Sequence, residues 1–482
     1  MLSAEKKDRG ELLTSLRTQG LERRTSMTPF APGQRIHFVG IGGVAMSAMA
    51  RLLAARGCIV SGSDREASEP LRQLRTEGIA VREGHRAEAV LGTDLVIATA
   101  AIRPDNAEVV EAHRLGIPVI GRAQALGRMM EGKRGVAISG THGKTTTTAM
   151  AALALIQAGL DPTVMVGGHV PEIGGNARVG AGPHFVAEAD EFDRSFLSLR
   201  PAVAVVTTVE EEHLDCYQDL DDISDAFVMF ANRVPSDGFA VLCIDDPNVR
   251  ALRPSLTSRV VTCGLSSDAD VSATDVSLTG AGSTCTLMRK ATVIGAIQLR
   301  LPGLHNVRNA LTAATVALNL GVSFDPIRDA LQAFGGVGRR FETLGERNGV
   351  LVVDDYAHHP TEVEATLAGA RSLGRDRIVV AFQPHLYSRT RDFASRFGAA
   401  LAEADLVIVT DVYAAREAPI EGVTGALVAE AARQAGAKGV TYIPDRDAVA
   451  GALAERVQPG DLVIVMGAGD IRSAGEELLR LL

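Results

Sequence analysis

Three linked α/β units are predicted for this chain of 482 residues, and three observations predict them. Short apolar runs, such as residues 95–98, 203–209, 378–380 and 462–465, alternate with stretches of helical periodicity, the pattern of parallel sheets with crossover helices. Two glycine turns, at Gly40 and Gly143, each carry a strand into a helix. A glycine-rich link at residues 335–338 (GGVG) separates a third strand-and-helix series from what precedes it. The expected units are residues 34–132, 133–338 and 339–482, after an N-terminal segment, residues 1–33.

Composition narrows the class of protein. Hydrophobic residues at 46% and charged residues at 22% describe a packed globular chain. A net charge of -9 argues against a general nucleic-acid binder, which would need a basic excess. Five cysteines form no Cys-x-x-Cys pair, which disfavours both a disulfide framework and a structural zinc site, and fits a reducing cytoplasm. No run approaches the ~20 apolar residues of a membrane span, and the N-terminus lacks the apolar core of a signal peptide. A soluble, cytoplasmic protein without membrane insertion is expected.

Residues 1–33 mix Lys6, Lys7, Arg9, Arg23 and Arg24 with Glu5, Asp8, Glu11 and Glu22 among scattered leucines. They read as a mobile extension. From Arg35 a strand enters the turn Gly40-x-Gly42-x-x-Ala45 and then a helix through about Ala55, and a second strand ends at Asp64. Glycines in such a turn admit a phosphate, and an acid at the next strand end is placed for a ribose hydroxyl. Glycines needed only for helix–strand packing would give the same pattern, so this turn does not decide its own role. Strands at 95–98 and 118–120 extend a parallel sheet.

The second unit opens near Lys133 and carries residues 138–147, ISGTHGKTTT. An apolar strand, a Gly-Lys-Thr turn and an Ala/Leu-rich helix grip a polyphosphate. The turn's N–H groups and the helix N-terminus face the anion, Lys144 adds a point charge, and the Thr145 hydroxyl can hold Mg²⁺. The common phosphate loop has a glycine five residues before Gly143; here Ile138 stands there, and Gly140 is the other glycine in a shorter turn. Two acidic clusters follow apolar strands, at 186–193 (VAEADEFD) and 210–215 (EEEHLD). Carboxylates and a histidine at strand ends beside such a loop are a donor set for Mg²⁺ on nucleotide phosphates. A solvated acidic loop is the alternative. Alternation between 270 and 301, with a turn candidate at 280–282, predicts a small antiparallel addition. A helix over 310–318 follows, with His305 and Asn309 near its start and Asn306 explained by capping.

In the third unit, strands at 351–353, 378–380, 406–409 and 462–465 predict another doubly wound sheet. Each strand ends in a polar or glycine-rich cluster: 354–359 (DDYAHH), 383–389 (QPHLYSR), 411–417 (DVYAARE) and 467–470 (GAGD). Such sheets bind ligands beyond the carboxyl ends of their strands, so four clusters in a row read as one shared cleft.

These motifs resemble those of the Mur ligase family from roughly residue 35 to the C-terminus. Its most specific pieces here are 139–147 (SGTHGKTTT), 354–362 (DDYAHHPTE), QPH at 383–385 with SRT at 388–390, 411–417, and 467–471 (GAGDI). The family's short loop accounts for Ile138. The resemblance implies a Rossmann-like N-terminal domain for a uridine diphosphate sugar and a central phosphate-loop ATPase domain with a mostly parallel sheet. A Rossmann-like C-terminal domain would close over the nucleotide. Gly40, Gly42, Gly43, Met46, Ser47, Ser63 and Asp64 would line the UDP-sugar site, with His85 close by. Gly140, Thr141, His142, Gly143, Lys144, Thr145 and Thr146 would bind ATP, joined by His305, Asn309 and, on closure, Asp355. Thr145, Glu188 and His213 would hold Mg²⁺, and Tyr356, His358 and Arg389 would surround an amino acid. Lys144, Glu188, His213, His358 and Arg389 form the implied catalytic set.

The reaction so implied is ATP-dependent amide formation in peptidoglycan precursor synthesis. The lactyl carboxylate of UDP-N-acetylmuramate takes the γ-phosphate, and the amine of L-alanine attacks the acyl phosphate. Two alternatives stand beside it: a recycling ligase that attaches a preformed tripeptide to the same sugar nucleotide, and a non-catalytic nucleotide-sensing protein. Glycine or L-serine in place of L-alanine differs by a methyl or hydroxyl, worth about 1–3 kcal/mol, and stays open, as does monomer against homodimer. Relatives commonly carry Asn, Asp, Ser and Arg where this chain has Thr208, Glu212, Phe192 and Leu386.

Overall fold

A computed structural model describes residues 29–482 apart from 215, 281 and 416. Residues 1–28, Asp215 and Arg416 of the 411–417 motif lie outside the described residues. The first unit is a five-stranded parallel sheet in the order Ala80–Glu83, Ile59–Asp64, Arg35–Val39, Leu95–Ala98, Val119–Gly121. The chain leaves Arg35–Val39 in both directions, so Gly40 at its carboxyl end sits at a switch point, where such sheets open a crevice. Phe30 is buried in this unit's core, with the Arg128 guanidinium 4.7 Å from its ring centroid. The packed fold therefore includes chain ahead of the expected start at residue 34, because an aromatic ring there has a pocket to fill.

The second sheet has ten strands, and its middle is parallel. Val271–Thr279, Gly282–Arg289 and Thr292–Leu299 form the expected antiparallel addition at one edge. Gly175–Arg178 runs antiparallel at the other. Arg134–Ser139, the strand that feeds the Gly-Lys-Thr turn, lies between Val203–Val206 and His184–Glu188. Register pairs Ser139 with Val206 and Ile138 with Glu188, so both acidic clusters leave the sheet beside the turn. Helices Lys144–Gln157 and Leu304–Asn319 pack together against this sheet. The second of these starts before the expected residue 310, because Leu304 and Val307 extend its apolar face into the core. Its N-cap is Gly303, and Asn306 instead donates Nδ2 to the Pro302 carbonyl at 2.8 Å from inside the first turn.

The third sheet runs Glu342–Arg347, Val350–Asp355, Asp461–Met466, Arg377–Phe382, Leu406–Val409, Val440–Tyr442. All its neighbours are parallel except the edge strand Glu342–Arg347, and apolar clusters cover both faces. The two edge strands were not expected from the sequence. Asp355 pairs with Met466 and Phe382 with Met466, so the polar clusters after these strands converge. No disulfide joins the five cysteines, and no helix among the described residues is long and apolar enough to cross a membrane.

Candidate active site

The Gly-Lys-Thr turn is built where a side chain would not fit. Gly140 has φ +136 and a Cβ there would lie 2.0 Å from Thr207 Oγ1; Gly143 has φ +80 and a Cβ would lie 2.5 Å from Asn309 Oδ1. Lys144 Nζ donates to the Gly140 carbonyl at 2.5 Å and to Glu191 Oε1 at 2.7 Å. Burial opposes the ammonium, but the charges of Glu191, Glu212 and Asp190 outweigh it and raise the Lys144 pKa. Thr208 braces the loop: its Oγ1 accepts from His142 N at 2.8 Å, and its carbonyl accepts from Thr141 N at 2.9 Å. Thr208 thus supports the loop backbone at the position where relatives carry an asparagine.

The expected metal donors fall into two groups. Thr145 Oγ1 donates to Glu188 Oε2 at 3.2 Å, and Gly167 N donates to Glu188 Oε1 at 2.5 Å. His213 groups instead with Glu191 and Glu212, its Nε2 at 3.7 and 3.9 Å from their carboxylates. Burial raises the Glu188 pKa, and for His213 burial is outweighed by Glu191 and Glu212, which raise it. Phe192 packs edge-on to the His213 ring, with centroids 5.1 Å apart. Glu191 Oε2 is buried without a hydrogen-bond partner. An orphaned carboxylate oxygen beside an imidazole, with further hard oxygens at Thr145 and Glu188, fits a divalent cation on nucleotide phosphates. Glu191 was not singled out in the sequence, where it looks like its acidic neighbours, and Glu212 stood out only as a longer acid where relatives carry Asp.

The third unit brings its polar residues to the same place. Arg389 Nη2 donates to Glu212 Oε1 at 2.9 Å, with both side chains buried. His358 Nε2 lies 4.0 Å from that oxygen, and His358 Nδ1 lies 2.9 Å from the Tyr356 carbonyl. Burial lowers the His358 pKa to about 4, so the ring is neutral. The Tyr356 ring lies under the guanidinium of Arg339, 4.8 Å from its centroid. Leu386, in the place where relatives carry arginine, is buried at φ +70 directly before helix Tyr387–Leu401. Of the three residues expected around an amino acid, Arg389 and His358 meet at Glu212, next to His213, and the Tyr356 ring packs edge-on to His358 with centroids 5.3 Å apart.

A cavity of about 370 Å³ separates the central and third units, lined by Gly143, Thr145, His305, Asn309, Arg340 and Asp355 among others. Its size suits a nucleoside. Asp355 accepts from Phe341 N at 2.8 Å and Ala357 N at 2.7 Å, and burial pushes its carboxyl up to about 6. Burial and the neighbouring Arg308 and Arg340 charges lower His305 to about 4. Arg340, a positive wall for phosphates, was not picked out in the sequence because arginines are common there.

At the first glycine turn, Gly40 has φ +85 and Gly42 N donates to Asp64 Oδ2 at 2.7 Å. A Cβ on Gly42 would lie 2.8 Å from the same carboxylate. Ser63 Oγ donates to Glu108 Oε2 at 2.5 Å, and His85 Nδ1 is 2.9 Å from Ser63 Oγ. Glu108, 0% exposed, also accepts from Arg86 N at 3.1 Å and was missed in the sequence. Met46 and Ser47 are buried on the inner face of helix Val44–Ala55, where Ser47 Oγ donates to the Val44 carbonyl. Gly43 is that helix's N-cap and, with no side chain, leaves the turn open.

Comparison with known proteins decides the family. Residues 35–134, 138–317 and 339–469 match the descriptions Mur ligase family, catalytic domain; Mur ligase middle domain; and Mur ligase, glutamate ligase domain. The curated UDP-N-acetylmuramate--L-alanine ligase of Salinibacter ruber is 49% identical over 451 residues, 93% of this chain and 95% of the relative. The chain belongs to the Mur ligase family. The Geotalea uraniireducens protein of the same name is 49% identical over 449 residues, 93% of this chain and 98% of the relative. Among solved structures, UDP-N-acetylmuramate-alanine ligase MurC from Thermotoga maritima superposes with a TM-score of 0.80 at 31% identity, covering 92% of this chain and 98% of that one. A murein peptide ligase from Psychrobacter arcticus gives 0.72 at 26% identity, covering 93% and 98%. The three-sheet α/β arrangement of this Mur ligase is thus that of its relatives.

Proposed function

We propose that this Mur ligase joins L-alanine to the lactyl carboxylate of UDP-N-acetylmuramate, with ATP cleaved to ADP and phosphate, in peptidoglycan precursor synthesis. The observation that carries the reading is a run of contacts from Lys144 through Glu191, His213 and Glu212 to Arg389, which sets the phosphate loop against Arg389 and His358 of the third unit. The names of the relatives support the two substrates.

The residues divide the work. Residues 34–132 hold the sugar nucleotide, with Gly40 and Gly42 admitting its diphosphate, Asp64 placed for its ribose and His85 close by. Residues 133–338 hold ATP, and residues 339–482 supply Asp355 to the nucleotide and Tyr356, His358 and Arg389 to the amino acid. Lys144 offers a fixed positive charge at the γ-phosphate, where negative charge spreads as the phosphoryl group moves to the carboxylate. Arg389 pairs with the amino-acid carboxylate in a bidentate fork, exchanging part of its bond to Glu212. His358 donates from Nδ1 to the Tyr356 carbonyl, which leaves the unprotonated Nε2 facing the pocket as an acceptor for the amine proton. Thr145, Glu188 and the Glu191–His213 pair would hold Mg²⁺, which neutralises phosphate charge when bound. A cytoplasmic location follows from substrates made there.

The test is phosphate release with ATP, Mg²⁺ and UDP-N-acetylmuramate across a panel of amino acids. Release that needs all components and is fastest with L-alanine is expected. Release with the tripeptide alone would instead identify a recycling ligase, and ATP binding without turnover a sensing protein.

A further inference from the structure

Apart from the donors set out for Mg²⁺, a second group of ligand-type side chains meets where the central unit faces the third. His142 of the phosphate loop, Glu210 after strand Val203–Val206, and His359, the N-cap of helix Pro360–Arg371, each bring one ligand atom within 4.8 Å of the others. His142 Nε2 is 3.7 Å and His359 Nδ1 is 3.9 Å from the same oxygen, Glu210 Oε2. The two rings lie 4.9 Å apart.

These separations are too long for hydrogen bonds. The ring nitrogens of both histidines are buried without a hydrogen-bond partner, and His359 is 0% exposed. Buried polar atoms left without partners are disfavoured, and a shared ion would satisfy one nitrogen of each imidazole at once. Around a tetrahedral zinc ion, neighbouring ligand atoms lie about 3.4 Å apart. The two imidazole–carboxylate separations, 3.7 and 3.9 Å, are close to that, and the two ring nitrogens, within 4.8 Å of each other, would draw together as an ion binds. The outer supports are present too. His142 Nδ1 faces Glu362 Oε1 at 3.4 Å, the carboxylate that orients a ligating imidazole, and Thr361 Oγ1 donates to Glu210 Oε2 at 2.7 Å. Arg396 Nη2, 3.9 Å from Glu210 Oε2, is half exposed and also donates to Thr361 Oγ1 at 3.3 Å, so it can stay on Thr361 as a cation enters.

We propose that His142, Glu210 and His359 form a binding site for a zinc-type dication that ties the phosphate loop to the third unit. Two imidazoles and one carboxylate suit Zn²⁺ over Mg²⁺, which prefers oxygen donors. Because the ligands come from both sides of the nucleotide cavity, the bound ion would hold the cavity shut and slow turnover.

The experiment uses the full chain, treated with chelator and free of nucleotide and Mg²⁺. It is titrated with ZnCl₂ by calorimetry and with CoCl₂ by visible absorption. His213→Asn serves as the background that removes the Glu191–Glu212–His213 group. One equivalent of Zn²⁺ should still bind in that background, and Co²⁺ should give the intense visible bands of a four-coordinate site. His359→Asn should weaken Zn²⁺ binding by roughly 100-fold and Glu362→Gln by ~10-fold, the scale for outer supports of metal sites. Glu210→Gln, close in shape, provides the same reading if His359→Asn fails to fold. No Zn²⁺ binding in the wild type, binding lost in His213→Asn, or binding unchanged in both His359→Asn and Glu210→Gln would overturn the site.

Discussion

The two glycine turns of this Mur ligase are the same backbone device put to different electrical use. Each follows an interior strand with parallel neighbours on both sides, each has glycine at positive φ, at Gly40 in the first and at Gly140 and Gly143 in the second, and each opens a helix. At Gly40 the turn carries no cation, and one of its N–H groups is already given to Asp64. At Gly143 the turn continues into Lys144, whose ammonium is held by Glu191 and the Gly140 carbonyl. The first can hold a diphosphate through backbone dipoles. The second can also stabilise a phosphoryl group in transit, because a full charge in a buried site acts more strongly than N–H dipoles.

The largest effect should come from breaking the charged turn. Lys144→Ala is expected to lower phosphate release by ~1000-fold, the loss of a preorganised charge, while UDP-sugar binding stays measurable by calorimetry. Ligation at a near-normal rate would mean the two turns do not differ as described. Next, Arg389→Lys should raise KM for the amino acid by ~100-fold with a smaller effect on KM for ATP, because an ammonium cannot replace the planar fork. Equal changes in both constants would place Arg389 elsewhere in the reaction.

The uncharged turn should respond more mildly and in binding alone. Glu108→Gln loosens the Ser63–His85 arrangement and should raise KM for UDP-N-acetylmuramate by ~10-fold with kcat near wild type. A drop in kcat with KM unchanged would remove Glu108 from substrate positioning. The smallest effect concerns His305, held neutral by burial down to about 4. Unfolded, the ring binds a proton below its ordinary 6.5, so its contribution to stability is full above 6.5 and is lost as pH falls toward 4. Melting curves of wild type and His305→Asn should therefore converge or cross over that window, and parallel curves would contradict a buried neutral ring.

The reading of the sequence succeeded where chemistry is local. The Gly-Lys-Thr turn, the strand ends and the antiparallel addition depend on residues a few positions apart, and they stand where expected. It stopped at Glu108, because a carboxylate in the short helix Ala107–Arg114 looks like any solvated acid until the sheet brings Ser63 against it. Met46 and Ser47, placed at the UDP-sugar site by resemblance, lie buried on helix Val44–Ala55, a face that position beside a glycine turn does not reveal. Asn306 was explained by capping because Leu304 and Val307 gain their apolar partners only in the folded core.

By itself the sequence determined three α/β units, two glycine turns that carry strands into helices, and polar clusters at the strand ends of the third. Backbone preferences and apolar periodicity act over one or two turns of chain and need no partner. The tertiary structure alone decided which acids serve which cation. Glu188 went to Thr145, Glu191 to Lys144 and His213, and Glu212 to Arg389 across 177 positions. Such pairings follow from strand register and from the seating of one unit on another, which bring together side chains no local rule relates.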